Sequence, residues 1–126
     1  MSLQARKLLE LDLPRAGGSA ALARGALARI DGFSEEVEHR LALLATELVT
    51  NAVRHGRGNI RLLATFAPAT IRVEVRDDGG GFDLERSLAI EGTAAGGFGL
   101  KIVDRMADRW GADPPRGLVW FELDLV

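Results

Sequence analysis

The run from Ser34 to Gly56 constrains this chain more than any other stretch. Val37, Leu41, Leu44, Ala45, Leu48 and Ala52 recur at helical spacing, so the segment is expected to form an amphipathic helix whose apolar stripe must be buried. Ser34 is well placed as N-cap, and Glu35 and Glu36 suit the positive end of the helix dipole. Gly56, after Arg54 and His55, reads as a C′ residue. A helix of roughly six turns needs a broad apolar partner surface.

The other periodic segments supply that surface. Leu9, Leu11 and Leu13 alternate with Glu10 and Asp12, the period of a half-buried strand, and Pro14 ends it. Residues 59–66 and 70–76 read as two strands joined by Ala67-Pro68-Ala69, a hairpin spacing. In the second, Ile71, Val73 and Val75 alternate with Arg72, Glu74 and Arg76. A last strand over 118–126 puts Val119, Phe121, Leu123 and Leu125 on one face. Helical spacing recurs from Ser19 to Ile30 and from Gly99 to Trp110, the latter closed by Gly111 and Pro114-Pro115. Residues 83–96 lack a clear period and read as a mobile segment. The expected order is therefore β-α-α-β-β-loop-α-β. Such elements are satisfied by a single α+β domain over 1–126: a two-layer α/β sandwich, its sheet mixed but mostly antiparallel, with helices on one face.

Composition removes several classes of function. The 126 residues hold no cysteine, which excludes disulfides, thiolate chemistry and Cys-ligated zinc. His39 and His55 are the two histidines, too few for a His-rich metal cage. With 16 Lys+Arg against 18 Asp+Glu, the charge gives no support to direct nucleic-acid binding. No apolar run approaches the roughly 18 residues needed to span a bilayer, and the N-terminus lacks a signal-peptide h-region. The expectation is a cytoplasmic protein with no membrane contact.

Three local features carry chemistry. Glu47 and Asn51 stand four residues apart on the long helix, beside its apolar stripe. They could line a pocket floor or simply face water at the core boundary. Asp77-Asp78-Gly79-Gly80-Gly81-Phe82 follows a strand directly: Asp77 offers an acceptor-only carboxylate suited to an exocyclic amine such as that of adenine, or the run is only a glycine-rich turn. Gly96-Gly97-Phe98-Gly99-Leu100 opens the last helix, whose first N–H groups lack internal partners, and reads as an anion cradle or a flexible entry turn. No G-x-x-x-x-G-K-[ST] occurs, and Gly79-Gly80-Gly81 is not followed by a helix, which disfavours P-loop and dinucleotide-binding folds.

In their order, Glu47-Leu48-Val49-Thr50-Asn51-Ala52-Val53-Arg54-His55-Gly56, then Asp77 to Phe82, then Gly97-Phe98-Gly99-Leu100, these features resemble the three nucleotide boxes of the Bergerat-fold (GHKL, histidine-kinase-like) ATPases. The short chain, Asp108-Arg109-Trp110-Gly111 and the terminal Val119-Trp120-Phe121-Glu122-Leu123 are most similar to the stand-alone, RsbW-like anti-sigma-factor serine/threonine kinases. The resemblance implies ATP and Mg²⁺ as cofactors. Glu47 would be the general base toward a serine hydroxyl, and Asn51 would offer its side-chain oxygen to Mg²⁺. Asp77 would bind the adenine amine, with Gly79 and Gly81 letting the base approach. Gly97 and Gly99 would shape a phosphate cradle, Arg54, Phe98 and Leu100 would complete the nucleotide set, and residues 83–96 would be a lid.

The implied function is phosphorylation of an anti-sigma-factor antagonist, with control of sigma-factor availability and a homodimer among the expected assemblies. The sequence departs from the family pattern in three places. Thr93-Ala94-Ala95-Gly96 holds no basic residue, Phe98 stands where close relatives are often basic, and Leu118 stands where many carry a Thr that reaches adenine. Those departures keep two alternatives open: a non-catalytic, nucleotide-dependent partner-switching protein, and the catalytic module of a two-component phosphorelay.

Overall fold

The computed structural model describes residues 5–79 and 100–125. Among these, the chain runs β1 (Arg6–Leu13), α1 (Ser19–Leu27), α2 (Glu35–His55), β2 (Ile60–Ala67), β3 (Thr70–Arg76), α3 (Lys101–Met106), β4 (Arg109–Asp113), a 3₁₀ turn (Pro114–Arg116) and β5 (Leu118–Asp124). The strands form one sheet in the order β1-β2-β3-β5-β4. Every described pairing is antiparallel, so the sheet is more uniform than the mixed one expected.

The α2 prediction holds at both ends, but for different reasons. Ser34 accepts a hydrogen bond from the Val37 N–H at 3.2 Å, which satisfies one of the first-turn donors. At the other end Gly56 is extended, with φ −81° and ψ −172°, and not in the left-handed conformation of a C′ glycine. Arg15 adds donors there: it donates to Ala52 O, which also accepts from the Gly56 N–H at 2.9 Å, and to Val53 O at 3.0 Å. A guanidinium is well suited to the negative end of a helix.

The stripe of α2 lies on the sheet. Leu44, Ala45 and Val49 are fully buried, and Leu41 and Leu48 nearly so. Facing them are Ile60, Leu62 and Ala64 of β2, Ile71 and Val73 of β3, and Phe121 and Leu123 of β5, all fully buried. These positions alternate with more exposed ones along each strand, as a sheet covered on one side requires. The hairpin register pairs Ala67 with Thr70 and Leu62 with Val75, and Ala69 takes a positive φ of 68° in the turn. On the uncovered face Arg72 stacks on the Trp120 ring at 4.0 Å from its centroid and pairs with Glu74 and Glu122.

The last predicted helix is too long. α3 stops at Met106, and Trp110, expected on its stripe, lies in β4 opposite Phe121. Three contacts end the helix. Arg40 of α2 caps the Met106 carbonyl, the Asp108 N–H donates to Glu122 O at 3.1 Å, and the Asp108 carboxylate accepts from the Asp124 N–H at 2.7 Å. Gly111 then lets β4 run beneath the Trp120 indole, where a Cβ would lie 2.7 Å from the ring. α1 likewise ends at Leu27, short of Ile30. Among the described residues, no helix is long and apolar enough to cross a membrane.

Candidate functional site

The C-terminal half of α2 carries the polar pair inward. Glu47 and Asn51 are only 8% and 7% exposed, so the reading in which both simply face water does not hold. Burial of a carboxylate and an amide is costly unless they are satisfied. No buried side-chain nitrogen or oxygen among the described residues lacks a partner.

Asp77 follows the last residue of β3. Its N–H donates to Gly117 O at 2.9 Å, and its Oδ1 accepts from the Gly79 N–H at 2.6 Å, an Asx-type turn that fixes the carboxylate. Gly79 and Gly117 have φ of +83° and +66°, conformations that strain any residue with a Cβ. Space demands glycine as well. A Cβ on Gly117 would lie 2.7 Å from Gly79 N, and one on Gly79 would lie 3.2 Å from the Arg116 carbonyl carbon. The third wall is Gly56, where a Cβ would come 2.8 Å from Asp77 Cγ. Three glycines from three parts of the chain thus enclose one carboxylate.

Asn51 and Asp77 face the same small cavity, walled by Leu48, Gly56, Val75 and Val119. Its free space is about 10 Å³, room for one water-sized group. Asn51 and Asp77 make two of its sides polar, and the rest of the lining is apolar side chain and glycine backbone. Asp77 also borders a wider polar cleft with Asp12, Asn59 and Asp78, of about 530 Å³. Glu47 belongs to neither. Together with Arg54, Thr46 and Thr50 it lines a hollow of about 340 Å³ between α2 and the start of α1, closed by Gly17.

The sequence-identified residues therefore separate into groups. Asn51, Asp77 and Gly79 meet at the C-terminal end of α2. Glu47 and Arg54 share the neighbouring hollow. Leu100 is fully buried at the entry to α3 and packs in the core. Gly81, Gly97, Phe98, Gly99 and the lid over 83–96 lie outside the described residues. Four residues at the site were not foreseen in their present roles: Arg15, Gly56, Gly117 and Val119. The Pro-Pro-Arg-Gly run signals a turn near Gly117, but its approach to Asp77 depends on sheet order, which no local pattern encodes. The position of β5 that lines the cavity is Val119, paired with Val75. Leu118 pairs with Arg76 on the opposite face.

Among the described residues no group of three or more His, Asp or Glu side chains could hold a metal ion. A divalent cation here would need oxygens from its ligand, which is the usual arrangement for Mg²⁺.

Comparison with known proteins bears on the fold and the family. The crystal structure of the RsbU and RsbW domains of Rv1364c from Mycobacterium tuberculosis superposes with a TM-score of 0.70 at 21% identity, a likeness of fold. The alignment covers 93% of this chain and 31% of that one, so the present chain spans about a third of the solved protein. No curated protein matches the chain. The family model for the histidine kinase-like ATPase domain matches residues 12–122, a span that includes Asn51, Asp77 and every described element from α1 to β4. The chain belongs to the histidine kinase-like ATPase domain family.

Proposed function

We propose that this chain binds ATP with Mg²⁺ and acts as a serine/threonine kinase on an anti-sigma-factor antagonist, thereby setting the availability of a sigma factor. The observation that carries the reading is the convergence of Asn51 and Asp77 on one cavity between α2 and the Asp77 turn. Family membership supports ATP as the ligand. The likeness of fold to a structure containing an RsbW domain supports the regulatory class.

The residues present fit an adenine nucleotide. Asp77 has one carboxylate oxygen committed to Gly79 N–H, which leaves the other to accept from an exocyclic amine. The cavity beneath it takes a group the size of an amine and no more. Asn51, four residues before His55 at the end of α2, offers a neutral amide oxygen, a hard ligand suited to Mg²⁺. When bound, the metal neutralises phosphate charge, the main requirement of phosphoryl transfer. Glu47 is the general base in this reading. Its carboxylate takes the proton of the attacking serine hydroxyl, and the hollow it lines with Thr46 and Thr50 gives that hydroxyl an approach from the α1 side. Gly81, Gly97, Phe98 and Gly99, with Arg54 and Leu100, complete the proposed nucleotide set. The protein would work in the cytoplasm, and a homodimer would use an edge strand of the sheet, β1 or β4, or the N-terminal helix.

The test is transfer of labelled phosphate from ATP to the cognate antagonist. The native chain is expected to phosphorylate it, and Glu47→Gln to lose at least about a hundredfold in rate, the usual worth of a general base. Equal transfer by both proteins contradicts the assignment. The sequence of the lid favours a second reading: Thr93-Ala94-Ala95-Gly96 lacks the cation that would stabilise γ-phosphate charge, so nucleotide would serve only to set partner affinity. That reading predicts binding without turnover. Service as the catalytic module of a phosphorelay would require transfer to a histidine on a separate domain.

A further inference from the structure

Arg15 lies just after Pro14, outside all three nucleotide boxes, yet it makes four hydrogen bonds to the backbone of the site's framework. Its guanidinium donates to Ala52 O, to Val53 O at 3.0 Å, and twice to Gly58 O, at 3.2 Å from Nε and 2.8 Å from Nη2. Planar forks of this kind are more rigid than a lysine contact. The segment held in this way is also the wall of the Asp77 pocket. Gly56 lies against the Asp77 carboxylate, and Gly58 leaves space for Asp78, where a Cβ would lie 3.0 Å from Asp78 Cβ. The Asp78 N–H donates to Arg57 O at 2.8 Å.

We propose that Arg15 is a positioning residue for the Asp77 pocket. By tying the end of β1 to the last carbonyls of α2 and to Gly58, it fixes the gap between Asn51 and Asp77, and so sets nucleotide affinity and base selection. α2 ends without a left-handed C′ turn, and the Gly56 N–H reaches back to Ala52 O. Without Arg15 the 56–58 segment keeps the Asp78 N–H to Arg57 O and Gly56 N–H to Ala52 O bonds but loses its side-chain fork, and the wall facing Asp77 relaxes. The effect on ligand rests on the nucleotide reading above, whereas the effect on the wall does not.

Two measurements separate them. Amide hydrogen exchange at Asp78 and Gly79 reports the wall, and calorimetry with Mg-ATP and Mg-GTP reports the pocket. Ser34→Ala serves as the control, because it removes a cap from the far end of α2 and touches nothing near Asp77. Arg15→Ala is expected to speed exchange at both amides, to weaken ATP binding about tenfold, and to narrow the preference for ATP over GTP. Arg15→Lys should recover part of each loss, and it carries the test if the alanine variant does not fold. Ser34→Ala should lower thermal stability while leaving exchange, affinity and preference at native values. Native exchange at Asp78 and Gly79 in both Arg15 variants overturns the proposal. So do ATP affinity and base preference equal to those of Ser34→Ala. A native chain that binds neither nucleotide refutes the ATP reading instead, and the exchange comparison still decides whether Arg15 holds the wall.

Discussion

The α-carbon of Gly56, at the end of α2, lies flush against the Asp77 carboxylate at the end of β3, so close that a methyl group there would come 2.8 Å from Asp77 Cγ and 2.6 Å from Ala52 O. One neighbour is backbone and the other is the carboxylate, so the end of α2 and Asp77 must both shift. Gly56→Ala is expected to cost about 1–3 kcal/mol of stability and to weaken ATP binding more than it weakens folding. Denaturant titration and calorimetry on the same variant check this. Native ATP affinity in Gly56→Ala would mean that Asp77 does not set the pocket.

Ser34 caps α2 by accepting a hydrogen bond from the Val37 N–H. Ser34→Ala should destabilise the protein by about 1 kcal/mol, read as a lower denaturation midpoint with an unchanged m-value. Loss of cooperativity would contradict a purely local cap.

Leu44 is fully buried where α2 crosses the sheet. Leu44→Ala is expected to cost about 2–5 kcal/mol, the transfer free energy of the lost methyls plus a cavity. Chemical denaturation measures it. A loss below about 1 kcal/mol would place Leu44 outside the core.

How much of this was legible in the sequence follows from how local each determinant is. α2 and the β2–β3 hairpin are written in short-range periodicity, and the Ser34 cap needs only its own three residues downstream. β4 was not legible. Leu100, Val103, Met106 and Trp110 keep a helical spacing, and what stops the helix is Arg40 from α2 and the Asp108 link to β5, contacts 66 and 16 residues away in sequence. The site divides in the same way. Asn51 and Asp77 announce themselves by residue type beside an apolar stripe and a glycine turn. Arg15 and Gly117 reach the same site only after sheet order has placed β1 and β5, and Gly56 resembles a helix stop signal whose true constraint is a carboxylate 21 residues later.

Asp124 tests the electrostatics of the β4–β5 edge. The hydrogen bond from Arg109 holds its carboxyl below the ordinary aspartate range, against a smaller opposing effect of desolvation. With the folded value below the unfolded one, the stabilisation is fully present above about pH 4 and is lost as pH falls through the folded value. Arg109→Gln should raise the Asp124 titration midpoint and flatten the acid limb of stability. Carboxyl-carbon NMR titration reads the midpoint directly, and no change in it would contradict the pairing.

The most direct measurement is ATP binding by calorimetry, with and without Mg²⁺, for the native chain and for Asp77→Asn. The site described above predicts that the native chain binds ATP more tightly with Mg²⁺ present. It also predicts that Asp77→Asn, whose amide can meet the adenine amine with a donor, loses at least about tenfold in affinity. Native ATP affinity in Asp77→Asn, or no binding by the native chain, would contradict it.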